Sequence, residues 1–343
     1  MSSSQATPFP ETIAGVRDFL RTIPTQTAKL RYILGLDSVE NAPKLANSIV
    51  VNCIDTEHYE WDSSKLTEIG INTFASGDLR QHIANPGPNG ENLLHQIYYY
   101  HFRMLPNAHC INKRFCPGNP ENNRFGNTRF ATYVQGKAML EECFYWDVTA
   151  GRAQDGKCPT VVIGHALRND ADGLARTVGF EPEAADTVVA VIDTQQMARE
   201  MGIYNPAGAR NEVGLRDLSA HFDIPYRDSH TAGNDAAYTT FSAIYMALYG
   251  RIMPTFTKSV LEVVDDVEKS SRLYSISDHG IPRYCTRCHA ANHFLSGCRA
   301  RLPPCEKCQA RRRPEANGKL PDVHWFTKGR KAHRTEDCTW GSS

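Results

Sequence analysis

Two carboxylates, Asp55 and Glu57, stand two residues apart where an apolar run, Ile49-Val50-Val51 through Ile54, comes to its end in VVNCIDTEHYEW. The run reads as a buried β-strand, in which side chains at i and i+2 share a face, so the two acids crowd together and repel. Something positive must compensate them, and oxygen ligands in that number suit a hard divalent cation. Two further stretches extend the pattern. VVIGHALRNDADGL delivers Asp170 five residues after His165, and SHTAGNDAAYTT supplies His230 and, five residues later, Asp235, each Asp opening a helical pattern. A single Asp in a first helical turn is usually a cap or a dipole partner. Four acids with one histidine, each at the end of a strand or the start of a helix, are a better match to a metal-assisted site.

The elements around these residues must bring them to one place. Strand-like runs recur at SIVVNCID, TEIGINTFA, PTVVIGHAL and DTVVAVID, and helical patterns follow at NDADGLARTVG, QQMAREMG, GLRDLSAHF and AGNDAAYTTFSAIYMALYG. Strands paired early and then alternating with helices predict an α/β domain, a mixed sheet flanked by helices, over residues 45–275. Residues 1–44 read as an N-terminal extension with one short helix, and TKSVLEVVDDVEKSSRL as a closing helix. The Asn-, Pro- and aromatic-rich stretch 86–133 reads as an insertion, either a substrate-facing rim or, around LLHQIYYYHF, a core helix or strand. YSISDHGIPR reads as a linker to a cysteine-rich tail.

Taken in order, the motifs resemble the DEDDh 3′–5′ exonucleases of the ribonuclease H-like superfamily: D-x-E at Asp55 and Glu57, TEIG from Thr67, G-H-x-L-x-x-D from Gly164 to Asp170, and H-x-x-x-x-D from His230 to Asp235. The gap of 112 residues between Glu57 and Asp170 is long for that family. The resemblance implies a ribonuclease H-like fold and a site in which Asp55, Glu57, Asp170 and Asp235 hold two Mg²⁺ or Mn²⁺ ions. It also implies that His230 is the general base toward the water attacking a terminal phosphodiester, with His165 structural. A narrower similarity to fungal members that act in RNA silencing implies a single-stranded substrate, RNA before DNA, and an Argonaute-type partner.

The tail carries its own metal chemistry. Six of the eleven cysteines lie in the last sixty residues with histidines among them. Cys285, Cys288, His293 and Cys298 form C-x2-C-x4-H-x4-C, a zinc-knuckle spacing, with Asn292 where such motifs usually place Gly. Cys305, Cys308, His333 and Cys338 repeat the two halves around a long basic insert. A ribbon pairing Cys285, Cys288, Cys305 and Cys308, leaving His293, Cys298, His333 and Cys338 for the other ion, also fits. Either partition holds two Zn²⁺.

Formal net charge is zero, yet Arg283 to Cys338 holds 13 Lys/Arg against 5 Asp/Glu, leaving the rest of the chain as acidic as the tail is basic. Such a tail suits a polyanion: Tyr284, Phe294 and Trp325 for stacking on bases, and the basic runs ARRR and KGRK for phosphates. With no run of 18 apolar residues and no signal-peptide plan at MSSSQATPFPET, the expectation is an intracellular protein, cytoplasmic or nuclear, with no membrane partner. The alternative to an enzyme is a non-catalytic adaptor that keeps the nuclease fold and zinc tail as docking surfaces.

Overall fold

The computed structural model describes residues 9–208, 212–251, 257–310 and 333–339. Helices α1 (Ile13–Thr22) and α2 (Gln26–Leu34) lead into two long strands, β1 (Val50–Tyr59) and β2 (Asp62–Ala75). Then come α3 (Ser76–His82), α4 (Glu91–Leu94), β3 (Tyr98–Met104), β4 (Thr128–Ala131) and α5 (Tyr133–Phe144). Strand and helix alternate through β5 (Thr160–Gly164), α6 (Arg168–Val178), β6 (Val188–Asp193) and α7 (Thr194–Glu200), followed by α8 (Leu215–His221), α9 (Ala232–Leu248) and α10 (Val260–Tyr274). The tail contributes α11 (Glu306–Ala310). Among the described residues no helix is long and apolar enough to cross a membrane.

Local chemistry sets several of these boundaries. Thr12 and Thr25 cap α1 and α2 by accepting from Gly15 N and Ala28 N, and Thr132 and Ser259 start α5 and α10 with capping boxes to Gln135 and Glu262. Each such cap satisfies amides that a helix start otherwise leaves unpaired, contributing about 1 kcal/mol.

The six strands form one mixed sheet in the order β4-β3-β2-β1-β5-β6. β1 pairs antiparallel with β2 and parallel with β5, and β5 pairs parallel with β6. Helices cover both faces, as the sequence predicts for a mixed sheet. On one side α9, buried along all 17 of its residues, packs with α1, α2, α7 and α8; on the other lie α5 and α6. The period of two along β1 assigns its side chains: Val51 and Cys53 join the α9 layer while Ile54 joins the α5/α6 layer. Asp55 and Glu57 therefore fall on the α9 side.

Two segments differ from the sequence reading, and a third takes one of the alternatives it left open. The N-terminal stretch holds two helices, and Phe19, Leu20, Leu30 and Ile33 are fully buried, so it is part of the core. The stretch 86–133 supplies two strands of the sheet, β3 and β4; the aromatic run around YYYHF is strand because Tyr99 and Phe102 each find a buried place between layers. The stretch expected as a linker lies against β4: Phe130 and Ile281 form a β-bridge, and Arg129 donates to the carbonyls of His279 and Gly280 at 3.0 and 2.8 Å.

Candidate active site

β5 pairs with β1 only from Val50 to Cys53, so β1 runs on past its neighbour and presents Asp55 and Glu57 beyond the carboxyl end of β5. Side chains at such strand ends are free to face a cleft. The chain leaving Gly164 enters α6, whose first turn carries Asp170. Asp170 Oδ1 accepts from the Thr56 amide at 2.8 Å and from the Thr56 hydroxyl at 2.7 Å, which ties α6 to the residue between the two acids of β1.

The other half of the site comes from the start of α9. His230 has φ of 55°, a left-handed conformation that costs a non-glycine residue energy. This turn lets the His230 amide donate to Asp235 Oδ2 at 2.8 Å while its ring swings toward β1, placing Nδ1 3.8 Å from Glu57 Oε1. Two glycines allow the close approach. A Cβ on Gly70 of β2 would stand 2.0 Å from the Ala232 carbonyl oxygen, and one on Gly118 would stand 2.2 Å from that of His230. The segment expected to rim the site thus presses on the backbone of His230 itself.

Together these residues open on a cleft of about 490 Å³ lined by Asp55, Glu57, Tyr226, His230 and Asp235, with Arg216 at its edge. Ligand atoms of Glu57, His230 and Asp235 lie within 4.8 Å of one another. Burial, reinforced by the neighbouring acids, raises the carboxyls of Asp55 and Glu57 well above their ordinary range. Burial also lifts Asp170 to about 6 and Asp235 to about 7, against the hydrogen bonds from Thr56 and His230. His230 moves the other way, below its ordinary 6.5, through burial and the charge of Arg216, which favours the neutral imidazole. Asp235 Oδ1 is buried without a hydrogen bond of normal geometry among the described residues, although the Tyr226 hydroxyl lies near enough to the carboxyl to offset part of its rise. Crowded carboxylates that resist ionising suit divalent cations with oxygen ligands.

Of the five residues that the sequence singles out here, Asp55, Glu57, His230 and Asp235 line the cleft, and Asp170 is held beside them through Thr56, close enough for its charge to raise the Asp55 carboxyl. His165 stands beside them, its Nδ1 2.8 Å from Thr194 Oγ1. Several neighbours were not anticipated. Glu68, directly across from Glu57 in the β1/β2 ladder, is buried and bonded to His101 Nε2 at 2.9 Å and to the Ala232 amide at 3.1 Å. Arg216 and Tyr226 also border the cleft, and only the position of Tyr226, four residues before His230, gives a sequence hint.

The tail cysteines gather into two sets, Cys285/Cys288/His293/Cys298 and Cys305/Cys308/His333/Cys338, each with ligand atoms within 4.8 Å. Cys288 Sγ to His293 Nε2 and Cys308 Sγ to His333 Nε2 are both 3.4 Å, and Cys308 Sγ to Cys338 Sγ is 3.6 Å. A tetrahedron with Zn–S of about 2.3 Å and Zn–N of about 2.0–2.1 Å has edges of roughly 3.5–3.8 Å, so both sets fit zinc. The ribbon partition is not the grouping found. Trp325, the arginines at 311–313 and the run at 328–331 lie outside the described residues.

Residues 50–246, more than half of the chain, match the family model DEDDh_C, described as DNA polymerase III subunit epsilon-like, C-terminal domain. An uncharacterised nucleolar protein of Schizosaccharomyces pombe is 26% identical over 190 residues, which cover 54% of this chain and 64% of that protein. An uncharacterised protein of Saccharomyces cerevisiae is 22% identical over 213 residues, 60% of this chain and 42% of that one. The chain therefore spans less than two thirds of either relative. Two solved structures of exonuclease I, one of them the zinc-bound Escherichia coli enzyme with single-stranded DNA, cover 60% and 58% of this chain and 41% and 40% of theirs. At 13% and 12% identity and a TM-score of 0.36 for each, that likeness is loose.

Proposed function

The chain belongs to the DEDDh_C family, and from that premise we propose that it is a metal-dependent 3′–5′ exonuclease acting on single-stranded nucleic acid. The observation that carries the reading is the convergence of Glu57, His230 and Asp235, whose ligand atoms lie within 4.8 Å of one another. Asp55, Glu57, Asp170 and Asp235 are the ligands for two divalent ions, Mg²⁺ or Mn²⁺. When bound, these ions neutralise the four acids and stabilise charge on the attacking and leaving oxygens of the phosphodiester.

The protein's own groups divide the remaining work. His230, whose neutral form burial and Arg216 favour, takes the proton from the attacking water, its Nδ1 standing 3.8 Å from Glu57 Oε1. Thr56 fixes Asp170, and the His230 amide fixes Asp235, so neither carboxylate has to be ordered when substrate arrives. Arg216, at the cleft edge, meets a substrate phosphate.

In this reading RNA is preferred to DNA, the tail binds two Zn²⁺ through its two Cys3His sets, and the protein acts in the nucleus. The nuclear location is supported by the nucleolar name of the fission-yeast relative. A role in RNA silencing with an Argonaute-type partner rests on the sequence resemblance alone.

The test is incubation of purified chain with 3′- and 5′-labelled single- and double-stranded RNA and DNA, with Mg²⁺ or Mn²⁺. Stepwise release of 5′-mononucleotides from linear single strands is expected, with circular strands surviving. Equal release by wild type and Asp55→Ala would remove the enzyme reading and leave the adaptor.

A further inference from the structure

A second cleft, about 780 Å³ and so larger than the catalytic one, opens where the zinc tail meets the edge of the sheet. Its wall on the sheet side is Phe130 of β4. The rings of Tyr284 and Phe294, from the first Cys3His set, stand 5.6 and 6.4 Å from that of Phe130. The guanidinium of Arg103 lies 5.3 Å from the centroid of Phe130. Neither the catalytic fold nor the tail has this cleft alone.

Two further arginines give it a rigid cationic wall. Arg129 commits Nε and Nη2 to the carbonyls of His279 and Gly280. Arg272 commits Nε and Nη2 to the carbonyls of Arg124 and Asn123, with Nη2 also reaching Glu268 at 3.4 Å. These bonds hold both guanidinium planes in place, and the Nη1 donors of each have no partner among the described residues. Such preset donors lose little entropy on meeting a phosphate. Phe294 remains 46% exposed beside them, offering a ring face to a planar partner.

The cleft is also joined to the catalytic site. Arg124, on its rim, is neutralised by Asp228 at 2.7 Å and Glu268 at 3.1 Å, and its amide donates to Asn234 Oδ1 at 2.7 Å. Asn234 immediately precedes Asp235. Asn122 donates to the same Asp228, and Gly118, four residues earlier, lies against His230. One segment is therefore shared between an acidic cleft and an arginine- and aromatic-lined one. A polyanion drawn to the first needs a cationic, stacking surface nearby.

We propose that the second cleft binds one or two unpaired nucleotides, with bases against Tyr284 and Phe294 and phosphates on Arg129 and Arg272. That these nucleotides belong to the strand whose 3′ end enters the catalytic cleft rests on the exonuclease reading; the binding itself does not. The occupant is single-stranded nucleic acid because the same cleft is lined by aromatic rings and by guanidinium groups, the combination that binds single strands without sequence preference.

The experiment measures fluorescence anisotropy of labelled uridine 20-mers and trimers on the full chain without Mg²⁺ or Mn²⁺, so that binding is read apart from hydrolysis. Wild type should prefer the 20-mer. Phe294→Ala should shrink the 20-mer-to-trimer affinity ratio by about tenfold or more. Arg272→Gln should make the slope of log K against log salt shallower by about 0.7. Retained zinc content verifies that each variant is folded. As a readout needing no variant, photo-cross-linking from a 4-thiouridine placed upstream of the 3′ end should label Tyr284 or Phe294. An unchanged ratio and slope, a wild type without preference for the 20-mer, or cross-links confined to other residues would overturn the proposal, and an unchanged ratio would assign the cleft to a protein ligand. Loss of the ratio in a chain that hydrolyses nothing would uphold the cleft and reject the exonuclease reading.

Discussion

Asp235→Asn should stabilise the protein when divalent cations are absent. In the folded chain the Asp235 carboxyl is raised from 3.8 to about 7, with burial the first cause and neighbouring acids adding to it. A raised acid binds its proton more tightly folded than unfolded. This group's contribution to stability is therefore fully present below pH 4, falls as pH rises, and is lost above pH 7. At 1.36 kcal/mol per unit, the difference amounts to roughly 4 kcal/mol at pH 8. Asn keeps the oxygen that accepts from the His230 amide but cannot ionise, so it escapes this cost. For a chain of this size the gain corresponds to roughly 5–10 °C in Tm. The assay is scanning calorimetry from pH 4.5 to 8 after dialysis free of Mg²⁺ and Mn²⁺, avoiding chelators that would strip thiolate-bound zinc. Wild type and variant should converge toward pH 4.5 and separate as pH rises. Saturating Mg²⁺ or Mn²⁺ should reverse the order, because the cation compensates four acids in wild type and finds a weaker ligand in the variant. Parallel pH profiles without metal, or a variant less stable than wild type at pH 8, would refute the electrostatic account of the site.

His230→Ala should lower the rate about 10²- to 10⁴-fold, and because burial and Arg216 hold His230 below 6.5, the acid limb of the wild-type rate profile should fall below that pH. Arg216→Ala removes one of the two causes, so that limb should shift to higher pH while KM rises. Gly118→Val drives a side chain into the His230 carbonyl, 2.2 Å from the ideal Cβ, and should cost activity through a displaced His230; unchanged turnover would show that the segment yields. Cys288→Ser opens one tetrahedron and should reduce the zinc measured by elemental analysis from about two ions per chain to about one.

Local sequence fixed the strands that carry the acids and the helices that deliver Asp170 and Asp235. Period-two burial and first-turn position depend only on near neighbours, and Asp55/Glu57, Asp170 and His230/Asp235 were legible on those grounds. The pairing of β1 with β5 over only four residues, which leaves the two acids facing a cleft, depends on where a strand more than 100 residues away stops. Glu68 sits within TEIG, and its role depends on His101 and the Ala232 amide, which only the fold brings within reach of it. β3 and β4 were hidden because an aromatic run fits a core helix or strand equally well until its partners are known. The spacing of Cys285, Cys288, His293 and Cys298 defined one ligand set within fourteen residues, whereas the grouping of Cys305 and Cys308 with His333 and Cys338 needed the chain to return over an insert of 24 residues. The arginine- and aromatic-lined cleft lies furthest from anything a sequence displays. Phe130 and Phe294 are 164 residues apart, and each looks like an ordinary apolar residue until the Phe130–Ile281 bridge holds the zinc tail against the sheet edge.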